Sequence, residues 1–124
     1  MIQAEITKDE SVTESVHIET TRGNFIRAAI IAQQLQYPNN EIRHLQELAL
    51  KQMACEYRNA VATHRLVKEW GLSRTEVERL FQEALKEHEN RPNKIRSDTC
   101  YDVATGKYLT LQEWIERFLG TSKL

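Results

Sequence analysis

Two helical patterns meet at one glycine, Gly71, and this junction constrains the fold more than any other stretch of the chain. Ser73 and Glu76 have the spacing of a capping box, and Leu72 with Val77 has that of a hydrophobic staple. Glycine enters the left-handed conformation without steric cost, so Gly71 is expected to end the preceding helix. The junction therefore predicts helix, tight turn and helix. Apolar residues of the second helix recur with the spacing of one buried face, at Val77, Leu80, Phe81, Ala84 and Leu85.

Another helix is expected from Phe25 to about Gln36, after a possible cap at Asn24. This segment is apolar on most sides, which predicts burial on more than one side or contact with a partner chain. Tyr37 precedes Pro38 and is thereby disfavoured in the helical region, so the helix should end there.

A further helix should begin at Asn39 or Asn40. The sequence allows two alternatives beyond residue 58. The helix contains no glycine or proline before Gly71, so it could continue to Trp70 over about 45 Å. Asn59 could instead cap a separate, shorter helix. A break at that point would produce the short first helix that docking in a DNA groove requires.

The C-terminal part predicts a hairpin and one more helix. Cys100 to Leu109 contains two short strand-like runs around a turn that ends at Gly106. Thr110 and Glu113 form a second capping box. The expected fold class is therefore mainly α, a bundle of three long helices with a small C-terminal β-hairpin and a short terminal helix.

Residues 1–20 differ from the rest of the chain, since they carry one lysine against five carboxylates. Alternating apolar residues, including Val16 and Ile18, suggest short strands, and a flexible acidic leader is an equally good interpretation. Residues 21–124 are expected to form a single helical domain. The net charge of the whole chain is −1, which creates no global field to attract polyanions.

The composition favours a soluble cytoplasmic protein. The two cysteines form no spacing motif, and no segment resembles a signal peptide or a membrane span. Glu41 and His44 have the i, i+3 spacing of di-iron proteins, but the matching copy at Glu14 and His17 lies in the leader. We therefore expect no metal site, no cofactor site and no catalytic residues, and a protein that is not an enzyme.

Residues 63–81 resemble the helix-turn-helix of DNA-binding regulators, through Leu66, the Gly71-Leu72-Ser73 turn, Val77 and Leu80. A hairpin after the second helix would complete a winged-helix order. The resemblance implies major-groove contacts from the start of the second helix and phosphate contacts from the segment after it. The groove residues would be Ser73, Arg74, Thr75, Glu78 and Arg79, and the phosphate-binding residues would be Arg91, Lys94 and Arg96.

Charge along that second helix argues against DNA. Between Ser73 and Glu89 there are three positive side chains and five glutamates. Affinity for DNA rests chiefly on neutralising phosphates with lysine and arginine. The helix is therefore expected to pack against other helices or to bind a protein partner.

Aromatic residues are concentrated around the Gly71 turn and the hairpin. They could form a satellite core that holds the hairpin, or an exposed patch of the kind that dominates protein interfaces. The leading hypothesis is a non-enzymatic protein-protein interaction or regulatory module that self-associates, with a dimer expected. The alternative is a winged helix-turn-helix transcriptional regulator. The candidate partner surface comprises Trp70, Tyr101, Tyr108 and Trp114.

Overall fold

A computed structural model of the protein describes residues 15–90 and 99–121. These residues are mainly helical and include one small antiparallel hairpin, which confirms the predicted fold class at this level. A single π-helical segment, Gln52–Glu56, follows the third helix. The elements in chain order are α1 (residues 15–21), α2 (Phe25–Gln34), α3 (Asn39–Lys51), α4 (Ala60–Glu69), α5 (Arg74–Glu89), β1 (Cys100–Asp102), β2 (Lys107–Leu109) and α6 (Leu111–Thr121).

The chain divides into two compact units, and the boundary between them along the chain falls between Ala49 and Leu50, inside α3. In the first unit, Val16 and Ile18 lie in α1, so the strand prediction for these two residues is wrong. The backbone N–H of Arg22 donates to the carbonyl of Ile18, as in a helix. An alternation of two apolar residues is too short to decide between the two periods. The remaining leader, residues 1–14, lies outside the described residues.

Helix α2 starts at Phe25 as predicted and ends at Gln34. Asn24 occupies the N-cap position, but its side chain makes no capping hydrogen bond and instead donates to the Glu19 carboxylate at 2.8 Å. Of the two predicted alternatives, burial on several sides within this chain is wrong, because Ile30 in α2 and Leu35 just after it remain 45% and 36% exposed. Contact of this segment with a partner chain stays a prediction. The buried side chains of α2 are its small ones, Ala28, Ala29 and Ala32.

The stretch from Asn40 to Trp70 is broken at Asn59. Arg58 has a positive φ of 52°, and the Asn59 side chain accepts a hydrogen bond from the Ala62 N–H at 3.0 Å. That bond satisfies one of the N–H groups left free at a helix start, so α4 begins at Ala60. The bundle of three long helices is consequently not confirmed, since this stretch forms helices of 13 and 10 residues.

The Gly71 junction has the predicted construction. Gly71 has φ +63°, and the Leu72 N–H donates to the Val67 carbonyl at 3.0 Å, which is a Schellman ending. The Glu76 N–H donates to the Ser73 hydroxyl oxygen, and the Ser73 N–H donates to the Glu76 carboxylate, so the capping box is complete. The staple residues Leu72 and Val77 are both buried.

The core of the second unit is built around Phe81 of α5, which is fully buried. Its ring meets those of Trp114 and Phe118 of α6 edge-on, with centroids at 6.3 and 5.6 Å. The second capping box, Thr110 with Glu113, is also present and sets the start of α6. Aromatic packing between α5 and α6 therefore fixes the position of α6, which directly follows the hairpin.

Candidate functional site

The hairpin presents one face to the protein and one face to solvent. Tyr101 pairs with Tyr108 across the two strands, between the pairs Cys100 with Leu109 and Asp102 with Lys107. Because side chains alternate along a strand, the two tyrosines lie on the side opposite Leu109. Leu109 is buried, whereas Tyr101 and Tyr108 are 55% and 70% exposed.

The two tyrosine rings pack on each other. Their centroids are 5.2 Å apart with an interplanar angle of 66°, the edge-to-face geometry that aromatic pairs prefer. Val103, in the adjacent turn, is 86% exposed. We call the packed and exposed pair Tyr101 and Tyr108 the hairpin face.

Asp102 holds this turn in place. Its carboxylate oxygen Oδ2 accepts hydrogen bonds from the Thr105 N–H at 3.1 Å and from the Thr105 hydroxyl at 2.7 Å. The Asp102 carbonyl accepts from the Gly106 N–H at 2.8 Å, and Gly106 has the φ of +68° that favours glycine. Arg117 of α6 places Nη1 3.3 Å from the same Oδ2. One carboxylate therefore closes the turn and ties it to α6.

The four residues of the predicted partner surface do not form one patch. Trp114 is only 4% exposed and stacks on Phe118 at 5.4 Å, so its assignment to a partner surface is wrong. Trp70 is half-buried at the end of α4. Trp114 directly follows Glu113 of the second capping box and so occupies the staple position of α6. A side chain at this position typically packs inward, against the residue that precedes the cap. Only the two tyrosines lie together on the surface.

Asp102 and Arg117 are not among the residues predicted from the sequence. The run from Asp102 to Thr105 has the pattern of an aspartate that accepts hydrogen bonds from the following turn, a signal that could have identified Asp102. Arg117 carries no comparable signal, since its partner is 15 residues away and is brought close only by the fold.

The helix-turn-helix residues adopt the expected order of helix, turn and helix, but their arginines are already paired. Arg74 lies 2.9 Å from Glu78, and Arg79 lies 2.8 Å from Glu83, both at i, i+4 spacing. Ser73 is engaged in the capping box, and Thr75 is exposed. The predicted phosphate contacts Arg91, Lys94 and Arg96 lie outside the described residues.

Lys51 binds two glutamates of α5, and one of them, Glu83, also binds Arg79. Its Nζ lies 3.1 Å from Glu83 and 3.4 Å from Glu87. Partial burial by itself lowers the pKa of Lys51, but hydrogen bonds and charge from the two glutamates outweigh this effect and the net pKa is raised. The pKa of Glu83 is lowered, first by the hydrogen bond from Lys51 and then by that from Arg79. The pair therefore stays ionised at neutral pH.

Cys55 lies in the π-helical segment, where burial raises its pKa to about 11 despite the nearby cations Arg58 and Lys51. Reactivity of a cysteine depends on its thiolate. At pH 8 the thiolate fraction should be on the order of a hundredfold below that of an ordinary thiol with a pKa near 8.5.

We expect iodoacetamide to modify Cys55 in a Cys100→Ser variant on the order of a hundredfold more slowly in the native state than in urea. Equal rates would contradict the burial of this thiol.

Other site types find little support within residues 15–90 and 99–121. No three His, Cys, Asp or Glu side chains lie where they could share a metal ion. None of the helices in these ranges combines the length and apolar character needed to cross a bilayer. Two shallow grooves of about 350 and 340 Å³ lie on the second unit. Leu85, Ile115 and Leu119 provide the apolar lining of the first, and Val61, His64 and Phe118 contribute to the second.

Comparisons of the chain with models of protein families, with characterised proteins and with solved structures find no match.

Proposed function

We propose that this protein is an interaction module that binds another protein through the hairpin face. The observation that carries the proposal is the packed tyrosine pair, whose members are 55% and 70% exposed. Tyrosine is enriched among the residues that dominate binding energy at protein interfaces. An exposed apolar cluster of this kind is better explained by a partner than by the stability of the free protein.

Order of the hairpin face before binding supports the same proposal. Association loses free energy when mobile side chains and loops become fixed at an interface. Here the tyrosines already pack on each other, and Asp102 already holds the turn against Arg117. Binding of a partner to this surface would therefore lose less free energy through the ordering of side chains and loops.

The test begins with a photoreactive phenylalanine analogue at Tyr108, introduced in cells that express the protein. Its cross-linked partner is identified by mass spectrometry, purified and titrated against the native protein by calorimetry. Truncation of a hot-spot residue typically costs about 2 kcal/mol or more, so Tyr101→Ala and Tyr108→Ala should each weaken binding by about thirtyfold.

Tyr57 supplies the matched control, since it is 61% exposed and lies far from the hairpin in the sequence. The Tyr57→Ala variant should bind the partner with unchanged affinity. Equal weakening by all three substitutions, or none by the two hairpin variants, would contradict the proposal. All variants should be compared at equal folded fraction by circular dichroism.

Self-association is part of the proposal, and a second copy of this chain is one partner that the cross-link can identify. Ile30 of α2, which is 45% exposed, offers a second apolar surface. In that case sedimentation velocity should show a dimer, and Ile30→Ser or Tyr108→Ala should shift it towards monomer according to which surface is used. A monomer at every accessible concentration would exclude self-association and leave binding to another protein.

DNA binding is the second candidate, and the break at Asn59 favours it. The break produces a short α4 that is joined to α5 by a Schellman ending and a capping box, in the order of a helix-turn-helix. Against it, Arg74 and Arg79 are neutralised by glutamates one turn away. Surface ion pairs are weak, so phosphates could still displace those glutamates.

An electrophoretic shift of random-sequence duplex DNA tests this candidate. If α5 enters a groove, Arg74→Ala and Arg79→Ala should each reduce affinity, and moderate salt should abolish the shift. The Tyr108→Ala variant separates the two candidates, because it should impair protein binding and leave a DNA complex formed by α5 intact. No shift at low salt would remove the DNA candidate.

A further inference from the structure

The helix break between α3 and α4 occurs without a residue that requires it. From Gln52 to Ala60 the chain contains neither glycine nor proline, and the side chains are compatible with a helix. Apolar residues continue through the break at helical spacing, at Ala49, Met53, Tyr57 and Val61. Two of them, Tyr57 and Val61, are left 61% and 71% exposed. The sequence pattern thus fits an uninterrupted helix better than the broken form does.

The backbone at the break departs from helical geometry in two ways. Residues 52–56 form a π-helical turn, and the N–H groups of Tyr57 and Asn59 donate back to the carbonyls of Gln52 and Met53. Arg58 then takes φ +52°, a left-handed conformation that is unfavourable for a residue with a side chain. π-helical turns and left-handed residues with side chains occur frequently at functional sites, switch regions among them.

Specific interactions hold the broken form together. Asn59 caps α4 through the Ala62 N–H, and Arg58 Nε donates to the Cys55 carbonyl at 3.0 Å. Lys51, the last residue of α3, is bound to Glu83 and Glu87 of α5. A change of chain direction between residues 51 and 60 is expected to release these ion pairs. They are partly exposed, and pairs of this type contribute little to stability.

We propose that residues 52–59 form a conformational switch, which exchanges between the broken form described here and a continuous helix that joins α3 to α4. The broken form supplies the cap at Asn59 and the ion pairs of Lys51. The continuous form removes the left-handed Arg58 and restores the i→i+4 hydrogen bonds of the segment. The two forms differ by a few compensating local interactions, so either can be favoured by a small change. The switch is independent of the hairpin face.

Distance measurements between two spin labels test the switch on the full chain. The labels replace two exposed residues, through His44→Cys and Arg65→Cys in a Cys55→Ala, Cys100→Ser background. A continuous helix places these positions about 32 Å apart, since 21 residues rise 1.5 Å each. Asn59→Ala removes the cap and should raise the population at this distance by about fivefold. Arg58→Gly tolerates the left-handed conformation and disfavours a helix, so it should lower that population by at least about fivefold.

Gln36 provides a matched control, because it also has a positive φ, of 56°, but follows α2. The Gln36→Gly variant should leave the distance distribution between positions 44 and 65 unchanged. Lys51→Met should act in the same direction as Asn59→Ala. A distribution that does not respond to Asn59→Ala or Arg58→Gly would overturn the proposal.

Amide hydrogen exchange separates a switch from simple fraying of α4 in Asn59→Ala. In a continuous helix the N–H groups of residues 57–60 would lie inside one regular helix and not at its break, so their exchange should slow. If the substitution only loosened the start of α4, exchange at the same amides would become faster, and that outcome would also overturn the proposal.

Discussion

Replacement of Phe81 by alanine is expected to lower the free energy of unfolding by about 3–5 kcal/mol, the range for large aromatic truncations in a core. Phe81 is fully buried and its ring meets those of Trp114 and Phe118. The substitution therefore removes apolar burial, leaves a cavity and deletes two edge-on aromatic contacts. Small domains are stable by only about 5–15 kcal/mol, so this single change should remove a large part of that stability.

Urea denaturation followed by tryptophan fluorescence measures this effect, because Trp114 reports on the same cluster. Phe81→Leu is the control, since it keeps an apolar side chain and should cost clearly less. Substitution of the exposed Val61 by alanine should change the stability by less than about 0.5 kcal/mol. If Phe81→Ala cost no more than Val61→Ala, the core assigned to α5 and α6 would be wrong.

Replacement of Asp102 by alanine is expected to cost about 2 kcal/mol and to release the hairpin turn. The side chain accepts two hydrogen bonds from Thr105 and binds Arg117 of α6. Hydrogen bonds to charged groups each contribute about 1.5–3 kcal/mol, and partial exposure to water reduces that total here. The loss should be local, with faster amide exchange at Thr105 and Gly106 and little change in α5.

Asp102→Asn separates the stability contributed by the hydrogen bonds from Thr105 from that contributed by the ion pair with Arg117. The amide keeps an oxygen that can accept from Thr105 but loses the charge that binds Arg117, so its cost should be smaller. Arg117→Ala should lower the stability of the protein that retains Asp102. In the Asp102→Ala variant the same substitution should have little further effect, as a double-mutant cycle would show. Additive costs would contradict a direct interaction between the two residues.

The Asp102→Ala variant also connects stability to the proposed function. If the hairpin face binds its partner because it is ordered in advance, Asp102→Ala should weaken binding although it leaves Tyr101 and Tyr108 in place. Undiminished affinity in that variant would mean that the turn contributes only to folding. It would leave the role of the tyrosines themselves to be judged from their own substitutions.

The helix boundaries that the sequence predicted well are those defined by local hydrogen bonds. The Gly71 ending and the capping boxes at Ser73 and Thr110 involve residues within a few positions of one another, so their spacing is sufficient to identify them. The hairpin with Gly106 in the left-handed region belongs to the same class. Each of these features is confirmed.

Predictions that depended on what surrounds a side chain were less successful. Trp114 and Tyr108 look alike as aromatic residues of one C-terminal stretch, yet the first is buried and the second is 70% exposed. The α2 segment looked apolar enough for burial on several sides, but Ile30 is partly exposed. Strand alternation and helix rotation assign a face only once the neighbouring elements are known.

Local sequence thus settled where most helices start and stop, including the Gly71 junction, because those choices are made by hydrogen bonds between residues close in the chain. Tertiary structure alone decided which aromatic residues remain outside and which glutamates Lys51 binds. In each of these cases the residues nearby in the sequence did not clearly favour one outcome. The outcome depended on contacts with residues far along the chain.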